Sequence, residues 1–186
     1  ADHDRRLWGF VDSVEGIQVM AQAMSGGAHD ATSRYEVLID IGAPGARTGV
    51  RSIDDAVALA RTATDAGITV RGVAGYEGAV VSGSDAAALR GVAEYCTTLR
   101  SAASAVADHV PDGPVVVSAG GSAYLDVVLP ELPGALPGGR EVDVVVRSGA
   151  YVAHDHGMYA AGDPLARMSG NARFRPAVTV LAQVVS

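Results

Sequence analysis

Short aliphatic blocks recur along this chain, each giving way to small or polar residues and then to a stretch with helical spacing. Leu7-Trp8-Gly9-Phe10-Val11 reads as the first strand, with Val14 to Met24 as the helix behind it. Asp12 or Ser13 is placed to cap that helix by accepting from its free amides. Glu36 to Ile41 is the second strand, with a helix from Ile53 to Ala66 that Ser52 caps and Gly67 ends. Thr69 to Ala74 is the third, followed by Gly75-Tyr76-Glu77-Gly78 and a long helix from Ser84 to His109. Val115-Val116-Val117 is the fourth, followed by Ser118-Ala119-Gly120-Gly121-Ser122 and a helix near Ala123 to Val128. Val142 to Val146 is the fifth, and it runs into Arg147-Ser148-Gly149. Past Tyr159 the rhythm stops. Gly162-Asp163-Pro164 breaks the chain, and Ala177 to Val185 reads as a strand of a second domain.

Strands separated by helices imply right-handed parallel crossovers, hence an α/β architecture that is either a doubly wound sheet or a barrel. The blocks are aliphatic throughout, as strands covered on both faces are. Every block feeds a loop rich in Gly, Ser, Arg or Tyr, and in a β/α barrel that C-terminal rim is where a site is assembled. Five strands do not close an eight-stranded barrel. The expectation is therefore a partial (β/α)8 barrel of the TIM-like kind in residues 1–160, holding the five later strands, with residues 161–186 opening a C-terminal β-domain. An incomplete barrel leaves strand edges and apolar faces uncovered. The remaining part of a parent polypeptide, or a homodimer partner, is expected to cover them.

Composition narrows the function. The 186 residues are 48% hydrophobic and only 5% aromatic, so the interior is built from Val, Ala, Leu and Ile. A formal charge of −7 argues against general affinity for nucleic acid or an anionic membrane. No apolar run approaches the ~20 residues that span a bilayer. The N-terminal Ala-Asp-His-Asp-Arg-Arg is too charged for a signal peptide. The single Cys96 excludes an internal disulfide and reads as a small buried hydrophobe. Together these point to the cytoplasm. All fourteen basic residues are arginines, and an arginine, unlike a lysine, cannot form a Schiff base.

The candidate chemistry lies in the loops. Arg47 projects from a loop built on Gly42, Pro44, Gly45 and Gly49, either to meet an anionic oxygen or to pair with Asp54 or Asp55. Tyr76 follows a strand and can lay its ring on a flat heterocycle or simply pack over the barrel end. Ser118 to Ser122 is a strand-to-helix turn with free amides and two hydroxyls, suited to a phosphate. Arg147-Ser148-Gly149-Ala150 is a second such turn, and two adjacent late rim loops match the usual phosphate position of β/α barrels. His154-Asp155-His156 lacks further ligands nearby and reads as a hydrogen-bonded loop rather than a metal site. His3, His29 and His109 read as solvated helix-end or terminal residues.

Taken in order, VLIDIGAPGARTGV, VRGVAGYEG, VVVSAGGSAYLDVV and VVVRSGAYVAHDHGMY resemble the fold-type III pyridoxal-phosphate enzymes, the alanine-racemase-like barrels. The last two together resemble the branch of D-serine dehydratase, D-threonine aldolase and the bacterial amino acid deaminases. The likeness runs from Leu7 to Val185. It implies that Arg47 lies near the phenolic oxygen of pyridoxal 5'-phosphate and that Tyr76 lies against the pyridine face. It implies a phosphate turn of Ser118, Gly120, Gly121 and Ser122, joined by Gly149 and Ala150. Arg147 is similar in position to the residue beside the pyridine nitrogen, where a cation would keep that nitrogen unprotonated.

Two departures qualify the resemblance. The family's Schiff-base lysine has no counterpart here, since the chain contains no lysine. The C-terminal β-domain, which in this branch carries the ligands of a divalent metal, is absent beyond Ser186. The resemblance therefore implies an internal fragment of an enzyme that deaminates or cleaves a small D-amino acid substrate, inactive on its own. A non-catalytic pyridoxal-phosphate-binding protein and an unrelated phosphate-binding α/β barrel are the alternatives.

Overall fold

The computed structural model describes residues 7–26, 36–168 and 171–184; His3, His29 and Val185 lie outside them. Five aliphatic blocks form strands β1 (Trp8–Val11), β2 (Glu36–Ile41), β3 (Thr69–Gly75), β4 (Val115–Ala119) and β5 (Val142–Val146). They make one sheet in the order β1-β2-β3-β4-β5, with every neighbouring pair parallel. Helices α1 (Val14–Gly26), α2 (Ile53–Asp65), α3 (Ala86–Val106) and α4 (Leu125–Glu131) form the crossovers.

Their caps follow from sequence. The Ser13 hydroxyl accepts from the Gly16 amide at 3.2 Å, and Ser52 accepts from Asp55 at 3.0 Å. Asp85 takes the Ala87 and Ala88 amides at 2.9 and 2.8 Å, while Gly67 ends α2 at φ +77°. Asp12 does not cap α1. It accepts from the Gly49 amide at 3.1 Å and so ties the end of β1 to the loop after β2.

Where the core sits decides between the two architectures. One continuous apolar cluster joins Ile17 of α1, Leu59 and Ala63 of α2, Val92 and Leu99 of α3 and Val128 of α4 to one face of all the strands. Each Ile, Leu or Val among them contributes about 1.5–3 kcal/mol on burial. On the other face the buried apolar cluster among the described residues is small, Leu38, Ala74 and Val116, with Trp8 and Val145 packed against them. A doubly wound sheet reverses its strand order and puts helices on both faces. Strands in chain order with every crossover on one face form the arc of a β/α barrel. The fold is a partial barrel, not an open doubly wound sheet.

One bulge shapes the arc. The β2–β3 register shifts between Val37 and Leu38, inserting Arg71, and Gly72 adopts φ +148°. A Cβ at Gly72 would overlap the Val116 carbonyl, so only glycine lets β4 approach here. Below the bulge the Trp8 Nε1 donates to Glu36 at 2.6 Å, and the Arg71 guanidinium lies 3.7 Å from the same carboxylate.

Three expectations are corrected. β4 runs to Ala119, so Ser118 belongs to the strand and not to the turn after it. The α4 helix begins at Leu125 rather than Ala123. Residues 172–184 form no strand: Val178, Val180, Leu181 and Val184 are exposed, and the segment reaches back through the Phe174 amide, to Asp163 at 2.9 Å, and the Ala177 amide, to the Ala153 carbonyl at 2.7 Å. Alternating aliphatics become a strand only when a partner ladder takes their backbone groups. Among the described residues none lies beside this segment.

Candidate functional site

The loop after β2 is closed by its own backbone. The Val50 amide donates to Asp40 at 2.8 Å, and the Gly42 amide to Val50 at 2.9 Å. Gly42 and Gly49 cross so closely that a Cβ on either would meet the other's backbone, and Gly49 sits at φ +89°. Arg51 pins the loop from below, donating to the Thr48 carbonyl at 2.7 Å and to that of Ala46. Arg47 is thus left as the loop's untied cation. It is exposed, forms no hydrogen bond or ion pair among the described residues, and pairs with neither Asp54 nor Asp55. Arg47 lines a cavity of about 310 Å³ together with Asp40, Thr48, Tyr76 and Tyr95.

Tyr76 and Tyr95 join that loop to the next one. From α3 the buried Tyr95 hydroxyl donates to the Ile41 carbonyl and accepts from the Tyr76 amide at 3.3 Å, stitching the ends of β2 and β3 together. Burial pushes the Tyr95 phenol up to about 12, helped by the charges of Asp40 and Glu77 and opposed by the Tyr76 hydrogen bond and Arg147. The Tyr76 ring is 57% exposed. It lies over Gly78 and against Gly121, where a Cβ would come within 3.3 Å of it.

On the other side of Tyr76 is a second cavity, of about 180 Å³. It is lined by Gly121, Ser122, Tyr124, Arg147, Gly149 and Ala150, with Tyr159 at its edge. Ser122 links the two late rim loops, its hydroxyl lying 2.9 Å from that of Ser148 and accepting from the Tyr151 amide at 3.0 Å. The amides of Ser122, Gly149 and Ala150 meet no acceptor among the described residues. Those of Gly120 and Gly121 are already taken, by the carboxylate of Glu77.

Of the nine candidate residues, Arg47, Tyr76, Gly121, Ser122, Arg147, Gly149 and Ala150 therefore line two cavities that share Tyr76 as a wall. Gly120 stands behind the cup, bonded to Glu77, and Ser118 behind Arg147. Ser118 is 1% exposed; its hydroxyl donates to the Val145 carbonyl at 3.0 Å and accepts from Arg147 Nε at 2.8 Å. Arg147 also donates to the Gly75 carbonyl, and its guanidinium lies 4.8 Å from the centre of the Phe10 ring. Sequence reasoning missed Glu77, Tyr95 and Asp40. Glu77 carried one signal, a carboxylate beside the ring-bearing tyrosine in a turn otherwise made of glycine.

The remaining candidates lie elsewhere or serve the backbone. Asp155 accepts from the Gly157 and Tyr159 amides at 2.7 and 3.0 Å and so starts the short helix α5 (Met158–Ala161). Its neighbour His154, at φ 52°, packs its ring 5.7 Å from that of Phe174. His109 borders a cavity with Thr64, Gly67 and Thr69 at the opposite, N-terminal ends of the strands. Burial pushes the Cys96 thiol up to about 12, which keeps it protonated and inert.

Chemically, the rim offers a planar aromatic wall, an exposed guanidinium on one side and, on the other, hydroxyls and free amides with a fixed guanidinium behind them. That donor set suits a flat heterocycle carrying a phosphate.

No protein-family profile and no curated protein sequence matches the chain. Solved structures do. D-threo-3-hydroxyaspartate dehydratase from Delftia sp. HT23 superposes with a TM-score of 0.51 at 25% identity, covering 84% of this chain. A variant of that enzyme in its metal-free form gives 0.51 at 26% identity over the same 84%. The arginine decarboxylase of Paramecium bursaria Chlorella virus gives 0.52 at 15% identity over 78%, a likeness of fold alone. The chain spans 38% of the length of the dehydratase and 40% of that of the decarboxylase. The fold is thus that of the alanine-racemase-like barrels, the fold-type III architecture whose enzymes use pyridoxal phosphate. Among the described residues no helix is long and apolar enough to cross a membrane.

Proposed function

We propose that these rim loops form the cofactor cradle of a pyridoxal-phosphate-dependent enzyme, found in the cytoplasm, that deaminates or cleaves a small D-hydroxyamino acid such as D-serine or D-threonine. The observation that carries the reading is the convergence of Arg47, Tyr76, Ser122, Gly149 and Arg147 on two cavities with one shared wall. The dehydratase likeness, at 25% identity, supports the choice of a hydroxyamino acid. Bound there, the aldehyde cofactor would supply an electron-withdrawing group for the α-carbon of an amino acid.

Ser122 and the free amides of Gly149 and Ala150 would hold the phosphate, and Tyr76 would lie against the ring. Arg47 would stand at the phenolic oxygen, favouring its anionic form by charge. Arg147 would face the ring nitrogen; already tied to Ser118 and Gly75, it is a fixed cation that disfavours a proton there. No side chain of these 186 residues can form a Schiff base with the aldehyde, because none is a lysine. We assign that amine, and the ligands of any divalent metal, to the rest of the parent polypeptide or to a homodimer partner.

Titrating the chain with pyridoxal phosphate while following amide resonances tests the cradle. Shifts at Tyr76, Ser122, Gly149 and Ala150 are expected, and their absence would overturn it. Assaying the full-length parent protein on D-serine, D-threonine and L-alanine tests the substrate class. Inactivity on both D-hydroxyamino acids would sink that part of the proposal.

A further inference from the structure

Glu77 is the most deeply buried charged residue near the rim, at 0% exposure, yet it pairs with no cation among the described residues. A carboxylate in that position is tolerated only when fixed dipoles replace its water. Here the dipoles are two consecutive backbone amides. Gly120 donates to one carboxylate oxygen, and Gly121 to the other at 3.2 Å. Consecutive amides aimed at one anion are the arrangement a phosphate would otherwise take.

We infer that Glu77 is a positioning residue. It fills the Gly120–Gly121 amides permanently, so that a phosphate is met by Ser122, Gly149 and Ala150 instead, at a distance from the Tyr76 ring that the Tyr76–Glu77 turn sets. This rests on the cradle proposed above. Tyr76 and Glu77 are neighbours in one turn, and each grips the same partner turn. A Cβ on Gly121 would lie 3.3 Å from the Tyr76 ring and 3.5 Å from the Glu77 carboxylate. The aromatic wall and the phosphate cup are therefore fastened to each other through one dipeptide, before any ligand arrives. A ligand that uses both must carry its anionic group at a matching span from its ring.

The test compares pyridoxal phosphate with pyridoxal, which has the ring and no phosphate. Glu77→Gln keeps the size but replaces one acceptor oxygen by a donor, leaving one glycine amide unmatched. Affinity for pyridoxal phosphate, by equilibrium dialysis, is expected to fall about tenfold or more, while that for pyridoxal stays within about twofold. Equal losses for both, or no loss for either, would overturn the inference. Glu77→Asp, which keeps the charge and reaches only one amide, is read the same way should Glu77→Gln not fold.

The unaltered chain supplies a second readout. Added inorganic phosphate is expected to leave the Gly120 and Gly121 amide protons at their shifts and to move those of Gly149 and Ala150. Movement of Gly120 and Gly121 instead would mean that the anion displaces Glu77, and the inference fails. Should pyridoxal phosphate not bind the unaltered chain, it is the cradle reading that falls, a result separate from these.

Discussion

Arg147 reaches from the end of β5 to Ser118 on β4, its Nε donating to the serine hydroxyl across 2.8 Å. That hydroxyl in turn donates a hydrogen bond to the Val145 carbonyl at 3.0 Å, so β4 and β5 hold the guanidinium together. Ser118→Ala removes the acceptor and strands a half-buried Nε. A loss of about 1–2 kcal/mol in urea unfolding is expected. A variant as stable as the parent would show that the Gly75 and Ser118 carbonyls suffice to hold Arg147.

Arg47 presents the opposite case, a cation with no partner among the described residues. Arg47→Ala is expected to change unfolding stability by less than about 0.5 kcal/mol. The same substitution is expected to weaken pyridoxal phosphate about tenfold or more, with Arg47→Lys recovering part of the loss. Unfolding curves and equilibrium dialysis on the same preparations separate the two effects.

High pH should find a weak point. Burial holds the Cys96 thiol at about 12 against an ordinary 9.0, and the Tyr95 phenol at about 12 against 10.0. Both folded-state values are raised. Their contributions are complete below the unfolded values and disappear as pH climbs toward 12. Guanidinium midpoints should therefore be flat near neutrality and fall from about pH 9 upward, with Cys96→Ala removing the earlier part of the slope. Tyr95→Phe should remove the later part, at a cost of about 1–3 kcal/mol at neutral pH for the Ile41 carbonyl and Tyr76 amide it abandons. An unchanged midpoint up to about pH 11 would contradict this account.

Pyridoxal phosphate held by these residues should leave on dialysis, because the chain has no lysine to bond the aldehyde. Borohydride treatment followed by intact mass and peptide mapping should find no pyridoxyl group on any side chain. Its discovery on one would show a nucleophile that neither sequence nor fold discloses.

The strands were legible because a strand of a parallel sheet under a helical layer is built from aliphatics, and β2 and β5 begin and end where the apolar blocks do. The rim was legible because glycine, serine and arginine after a strand have few other uses. Glu77 was not, since a carboxylate between glycines reads as solvated, and only the fold brings the Gly120 turn over it. Tyr95 lies on α3 at core spacing, and nothing along the chain says that its hydroxyl surfaces at the rim. Ser118 looked like a turn residue because it is small and polar; the length of β4 is set by its pairing with β5, which runs to Ala119↔Val146. Residues 177–184 show the converse, a strand-like pattern with no ladder beside it among the described residues.

The one-sided placement of the helices also constrains how the sheet can be extended. Among the described residues β1 and β5 each have one unpaired ladder, at opposite ends of the arc. A bare hairpin docked there would satisfy those amides and carbonyls yet leave its outer face open to water, since no helix would accompany it. An addition that covers its own outer face as the present strands do brings a helix with each strand, so the curve is prolonged most simply in strand-and-helix modules.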